Sequence, residues 1–245
     1  MQQDAPYLPE LVRVGPEHAM LAQAISDELP TQLAAFTSAI VARGGVQFAK
    51  AQLAGPVTVS RFGPRGLVEH LAQKAVAITR ALADAKVTPI LFLDEPGLGL
   101  SEEPLDDLER VRRAASDAGA IVGVHCCGQT RWNELLAMDF EIISLDARLS
   151  LDALLEDRRA WLSFVERGGT LCLGIIPTNP GARYDVAELC DSLEVSLRAT
   201  TPNFERVLER MLLSPACGLG LHTPDDALRI SAEVRSAQAR LRALL

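Results

Sequence analysis

The sequence predicts a parallel α/β fold on two observations, and a third, the chain length, fits a barrel; periodicity itself does not decide between barrel and open sheet. Short β-branched runs alternate with longer amphipathic segments, as strands and crossover helices do. The strand candidates are almost continuously apolar, as expected of strands buried on both faces. The length of 245 residues suits a single α/β barrel of ~200–250 residues.

The N-terminal portion, to about Ala42, reads as an extended PYLPEL segment followed by helices interrupted at Pro30. Strands are expected at 45–60 (broken at Gly55-Pro56), 89–94, 120–127, 140–146, 170–176 and 210–217. The first interstrand helix, 64–85, carries the apolar stripe Leu67, Leu71, Val76, Ile78 and Leu82. The next opens at Ser101-Glu102-Glu103-Pro104, with a capping serine, acidic residues and an early proline, and stops at Gly119. Helices at 151–167, 185–198, 202–211 and 224–245 complete the set. A barrel needs eight strands and six are found, so we expect a single barrel domain over residues 1–245, N-terminally incomplete. No Gly-rich phosphate loop follows a strand, which argues against a dinucleotide-binding sheet.

Composition excludes several classes. Hydrophobic residues make up 48% and charged residues 23%, too apolar for a disordered chain. The net charge is −8 with no Lys/Arg cluster, so nucleic acid is not an expected partner. No run approaches the ~18–20 apolar residues of a membrane span, and no membrane partner is expected. The N-terminus lacks a signal-peptide pattern. Five cysteines, two of them adjacent, suit reduced thiols and a cytoplasmic location better than a disulfide framework.

The most informative stretch is Val124-His125-Cys126-Cys127-Gly128. Side chains alternate along a strand, so His125 and Cys127 share a face and Cys126 takes the other. One imidazole and one thiolate at a strand end suit zinc. The alternative is that Cys126 and Cys127 are small buried hydrophobes. Cys217 lies 90 residues beyond Cys127, also at a strand end, where a barrel would bring the two to one mouth. Asp146 and the pair Asp94-Glu95 end two further strands, although an acidic residue after a strand also serves as a helix cap. Cys172, Cys190, Trp132 and Trp161 read as core. His18, His70 and His222 read as helix or loop residues, and Arg110, Arg112 and Arg113 as a solvated helix face.

Five segments, in this order, carry a resemblance: QLAGPVTVS from Gln52, LFLDEPGL from Leu91, VHCCG from Val124, IISLDA from Ile142 and LSPACGLG from Leu213. Together they resemble the zinc-bearing catalytic domain of the cobalamin-independent methionine synthases. That domain belongs to the barrel superfamily that also holds uroporphyrinogen decarboxylase and the coenzyme M methyltransferases.

The resemblance implies a TIM-type (β/α)8 barrel lacking its first one or two strands. It implies Zn²⁺ held by His125, Cys127 and Cys217, with Asp146 standing where the synthases have glutamate. It gives Asp94 the catalytic, substrate-holding role toward the amino group of an amino-acid thiol, with Glu95 as a neighbouring substrate contact. The activity implied is methyl transfer to a thiol such as homocysteine, in methionine synthesis. The methyl donor would be a methylfolate or a methylcorrinoid, the latter free or on a corrinoid protein. The sequence leaves oligomerisation open. Pro177 stands where an acidic residue is expected, and His-Cys-Cys-Gly also approaches the coenzyme M pattern. A coenzyme M-type or other thiol methyltransferase, and a non-catalytic barrel acting as a binding subunit, are therefore the alternatives.

Overall fold

A computed structural model describes residues 16–245 apart from 103, 180 and 221, with side chains from residue 20 onward. The PYLPEL segment lies outside the described residues. The chain divides into two compact units, with the boundary between His125 and Cys126.

The first unit runs α1 (Pro16–Ile25), α2 (Leu33–Arg43), β1 (Phe48–Ala54), α3 (Pro56–Phe62), α4 (Val68–Asp84), β2 (Thr88–Asp94), a 3₁₀ turn (Leu98–Leu100), α5 (Asp106–Asp117) and β3 (Ile121–His125). The central strand β2 pairs in parallel with β1 and with β3. Its Leu91 and Leu93 are fully buried, as are Ile78 and Leu82 of α4 and Leu108 and Val111 of α5. Each such side chain contributes roughly 1.5–3 kcal/mol on leaving water. Of the stripe read for α4, Leu71, Ile78 and Leu82 are buried, whereas Leu67 and Val76 are half-buried.

The second unit runs α6 (Trp132–Ala137), β4 (Ile142–Asp146), α7 (Ala147–Glu156), α8 (Arg158–Glu166), β5 (Thr170–Ile176), α9 (Val186–Thr200), α10 (Phe204–Arg210), β6 (Leu212–Pro215) and α11 (Pro224–Arg242). Here β5 is central and pairs in parallel with β4 and β6. The buried indole Nε1–H of Trp161 donates to Thr201 at 2.9 Å, tying α8 to the end of α9. Among the described residues the fold is thus α/β, with six strands that are parallel within each unit.

Several expectations change. The strands expected over 120–127 and 210–217 end at His125 and Pro215, so Cys127 and Cys217 lie beyond them and strand alternation does not put His125 and Cys127 on one face. The strand expected over 45–60 ends at Ala54, and its second half is helix α3. Gly55 is extended (φ −77°, ψ 163°) and Pro56 occupies the first helical turn, where its fixed φ and missing N–H cost nothing. The helix expected to open at Ser101 begins at Asp106, with Asp106, Asp107 and Glu109 complementing its dipole. The helix expected over 151–167 breaks at Asp157, whose carboxylate accepts Ala160 N–H at 3.0 Å and starts α8 afresh. Arg112 is buried rather than solvated, because Glu109 one turn earlier takes its guanidinium at 2.7 and 2.8 Å. Among the described residues no helix is long and apolar enough to cross a membrane.

Candidate functional site

Both units place chemistry at the C-terminal ends of their strands. In the first unit Asp94 closes β2, in register with Ala54 of β1 and His125 of β3. Asp94 and Glu95 are both buried and differ in how they are satisfied.

Glu95 is met from three sides. Val57 N–H donates to Oε1 at 3.0 Å, and Thr58 N–H and Oγ1 donate to Oε2 at 2.7 and 2.6 Å. Thr58 Oγ1 itself accepts Gly97 N–H at 3.1 Å, so its proton is available to the carboxylate. Gly55 closes the cradle, since a Cβ there would overlap the Glu95 carboxyl. This explains how Val57, Thr58 and Val59, all β-branched, are held in a helix: Glu95 satisfies N–H groups that the first turn would leave orphaned. Burial pushes the Glu95 carboxyl up to about 7, against the opposing pull of the Thr58 and Val57 hydrogen bonds. Expected at the substrate, Glu95 is instead fully buried and turned onto α3, which makes it the anchor of that helix.

Asp94 is half satisfied. Gln52 Nε2 donates to its Oδ2 at 2.6 Å. Its Oδ1 is buried and, among the described residues, has no hydrogen-bond partner. A buried acceptor left bare costs roughly 1–3 kcal/mol. Such a position is suited to receive a donor from a ligand. Gln52 Oε1 in turn accepts from Lys50 Nζ, which lies 4.8 Å from the centre of the Phe92 ring. Gly123, in register with Phe92, leaves room for that ring: a Cβ there would stand 2.8 Å from it. His125 is half-buried, and its carbonyl accepts Glu95 N–H at 2.8 Å.

In the second unit the segment after Cys126 is held by its neighbours. Cys126 N–H donates to Ser144 O at 3.1 Å, its Sγ reaches Gly128 O at 3.6 Å, and Ser150 Oγ donates to the same carbonyl at 3.1 Å. Cys126 is 1% exposed, so the buried-hydrophobe alternative describes this residue. Cys127 is half-buried and Cys217 exposed.

Gly174 prepares the approach of Cys217. It lies in register between Asp146 and Ser214, and a Cβ on it would stand 2.5 Å from Ala216 Cα. A bulge in the β5–β6 pairing and the bond from Ala216 N–H to Ile176 O (2.9 Å) then deliver Cys217. Its thiol lies near Cys127, Thr178 and Asp146. Cys127 and burial push the Cys217 pKa up; the Thr178 side chain pulls it down, and Asp146 pushes it up further.

Asp146 closes β4 and caps α7, its Oδ1 accepting Arg148 N–H at 2.9 Å and Leu149 N–H at 3.3 Å. Both bonds go to one oxygen, which leaves Oδ2 outside the cap.

The expected residues therefore fall into two groups. Asp94, Glu95 and His125 share the strand ends of the first unit, and Cys127, Cys217 and Asp146 those of the second. Among the described residues no group of three or more His, Cys, Asp and Glu side chains is gathered closely enough to hold a metal. Two neighbouring sulfurs near a carboxylate nevertheless offer donors of the soft, anionic kind that zinc favours. Cys172 and Cys190 are core thiols, reaching Ser214 Oγ at 3.8 Å and Ala237 O at 3.9 Å. His70 reaches Ala24 O at 3.0 Å, a helix-to-helix contact.

Sequence reasoning missed Lys50, Gln52, Thr58 and Thr178. Lys50 and Gln52 left a trace: two polar residues spaced by two within the strand Phe48–Ala54, hence on one face. Thr58 and Thr178 left none, because each matters through a partner distant in sequence.

No family model and no curated protein matches the chain. The resemblance to the methionine synthases therefore rests on its motifs. Among solved structures, 3-keto-D-glucoside 4-epimerase of E. coli aligns over 98% of both chains at 13% identity, with a TM-score of 0.47. A proposed lyase/mutase from Burkholderia cenocepacia aligns over 89% of this chain and 87% of its own at 14% identity, TM-score 0.41. A proposed orotidine 5′-phosphate decarboxylase from Streptomyces avermitilis aligns over 88% and 99% at 13% identity, TM-score 0.42.

Proposed function

We propose that the chain is a barrel-type enzyme, a zinc-dependent methyltransferase that moves a methyl group onto a thiol such as homocysteine. The meeting of Cys127 and Cys217, 90 residues apart in sequence, is the observation that supports this reading most. Cys127 and Cys217 would hold the zinc, with Asp146 of the same unit as a further ligand. When bound, the ion would supply the positive charge that keeps a thiol deprotonated near neutral pH.

The chain's own residues have separate tasks. The bonded segment around Gly128 and the bulge after Gly174 hold the two sulfurs together before any ion arrives, which lowers the ordering cost of binding one. The Thr178 side chain, close to the Cys217 sulfur, favours its anionic form. The bare Oδ1 of Asp94 would accept the ammonium group of an amino-acid thiol.

The experiment is zinc analysis combined with homocysteine methylation, tested with methyltetrahydrofolate and with methylcobalamin. The expected result is stoichiometric zinc and turnover with one of the two donors. Cys217→Ser should lose most of the zinc and the activity together. A Cys217→Ser protein that kept both would overturn the reading.

A further inference from the structure

The site described so far accounts for Asp94 and leaves unexplained why a lysine lies along a mostly apolar strand beside it. Lys50 and Gln52 stand two apart on β1 and so project from one face. Gln52 is in register with Phe92, two residues before Asp94 on β2. The three polar groups form a line toward the strand ends: Lys50 Nζ donates to Gln52 Oε1, Gln52 Nε2 donates to Asp94 Oδ2, and Asp94 Oδ1 ends the line bare and buried.

The middle member has one orientation. An amide oxygen accepts and an amide nitrogen donates. Turning the Gln52 amide over would set its NH₂ against the Lys50 ammonium and its oxygen against the Asp94 carboxylate. The cation over Phe92 and the carboxylate thus lock the amide from both ends. A locked donor on Oδ2 fixes the plane of the Asp94 carboxyl, and with it the direction in which Oδ1 faces.

We infer that Lys50 and Gln52 are positioning residues that aim the free oxygen of Asp94 at a ligand's donor group. The inference rests on the reading that Asp94 receives the amino group of a thiol substrate. It adds that discrimination for that group depends on two residues that need not touch the ligand. It also explains why an uncharged amide separates lysine from aspartate. A direct Lys50–Asp94 pair would use up the carboxylate, whereas the intervening amide occupies one oxygen and spares the other.

The test compares binding of L-homocysteine with binding of 4-mercaptobutanoate, the same thiol acid without its amino group. Wild-type protein should prefer homocysteine. In Lys50→Met and Gln52→Met that preference should shrink about tenfold, the size of one charge-assisted hydrogen bond, while 4-mercaptobutanoate binds as before. Lys50→Arg, which keeps the cation and its donors, should restore the preference. A merely structural loss would weaken both ligands equally and would not be rescued.

A ligand-free readout stands beside it. The side-chain amide protons of Gln52 should exchange slowly with solvent in the wild type and quickly in Lys50→Met. Full preference for homocysteine in both variants overturns the relay and leaves the Asp94 reading intact. A wild type that binds the two thiols alike, or neither, overturns the Asp94 reading. The relay then stands or falls on the Gln52 amide protons, and unchanged protection in Lys50→Met overturns it.

Discussion

The two units end their strands on polar groups in opposite ways. In the first, acidic side chains are met by donors from their own unit: Glu95 by Val57 and Thr58, Asp94 by Gln52. In the second, sulfur and acidic groups lie near one another, Cys217 beside Cys127 and Asp146 close enough to oppose its ionisation, while Asp146 also caps α7. The first arrangement leaves a single acceptor oxygen unfilled and is suited to a donor. The second concentrates groups that become anions and is suited to a cation. Parallel strands of similar length thus prepare two different kinds of binding, and the difference lies in which neighbours the connecting loops supply.

The sharpest way to break the comparison is to remove the space that each arrangement uses. In Gly55→Ala the new methyl must displace the buried Glu95 carboxyl, which uncouples it from Val57 and Thr58. Overpacking and orphaned N–H groups together should cost about 3 kcal/mol or more. Amide exchange at Val57 and Thr58 should speed up accordingly; unchanged protection there would mean that Glu95 does not anchor α3. Gly174→Ala drives its methyl into the backbone of Ala216 and should cost a similar amount in the second unit. This variant alone should impair zinc uptake, because only there does the displaced chain carry Cys217.

A pH titration of stability comes next in size. Burial raises the Glu95 carboxyl from 4.5 to about 7 in the folded chain. Between those values the native state holds a proton that the unfolded chain has released. Stability attributable to this group is therefore fully present below pH ~4.5 and is lost as pH rises through about 7. The loss amounts to about 3 kcal/mol at 1.36 kcal/mol per pH unit. Urea midpoints compared at mildly acidic and mildly alkaline pH should show the decline, and Glu95→Gln should flatten it. A wild type whose midpoint rises over the same window would mean that the three hydrogen bonds outweigh burial and keep the carboxylate charged.

What could be read from the sequence, and what could not, follows from the same physics. The strand at 170–176 is found with its true ends (Thr170–Ile176), since burial on both faces writes itself as an unbroken apolar run. The run Val57-Thr58-Val59 reads as strand and folds as helix, because the group that overrides local propensity is a glutamate 36–38 positions later. Helix α6 escapes notice for another reason: six residues are too few to display a period. In the candidate site the chemistry-bearing types Asp94, His125, Cys127, Asp146 and Cys217 are visible by residue type and strand-end position. Their assignment to two separate groups is not, because a sequence does not mark where one compact unit stops and the next begins. The role of Glu95 is invisible for the same reason as α3: its partners, two backbone N–H groups and one threonine hydroxyl, lie 37–38 positions away.

Asp146 provides the finest division, because it stands where the two kinds of strand end overlap: it behaves as a cap of the first kind and as a candidate ligand of the second. Its Oδ1 accepts two N–H groups of α7, so Asp146→Ala should cost about 1 kcal/mol, as the loss of a helix cap does. Asp146→Asn keeps an equally good cap and should hold stability within about 0.5 kcal/mol of the wild type. What asparagine loses is the charge beside Cys217. If Asp146 ligates zinc, both variants should bind the ion more weakly and only the alanine variant should melt earlier. A wild-type zinc affinity in Asp146→Asn would reduce Asp146 to a helix cap and leave the two sulfurs to find their remaining ligands elsewhere.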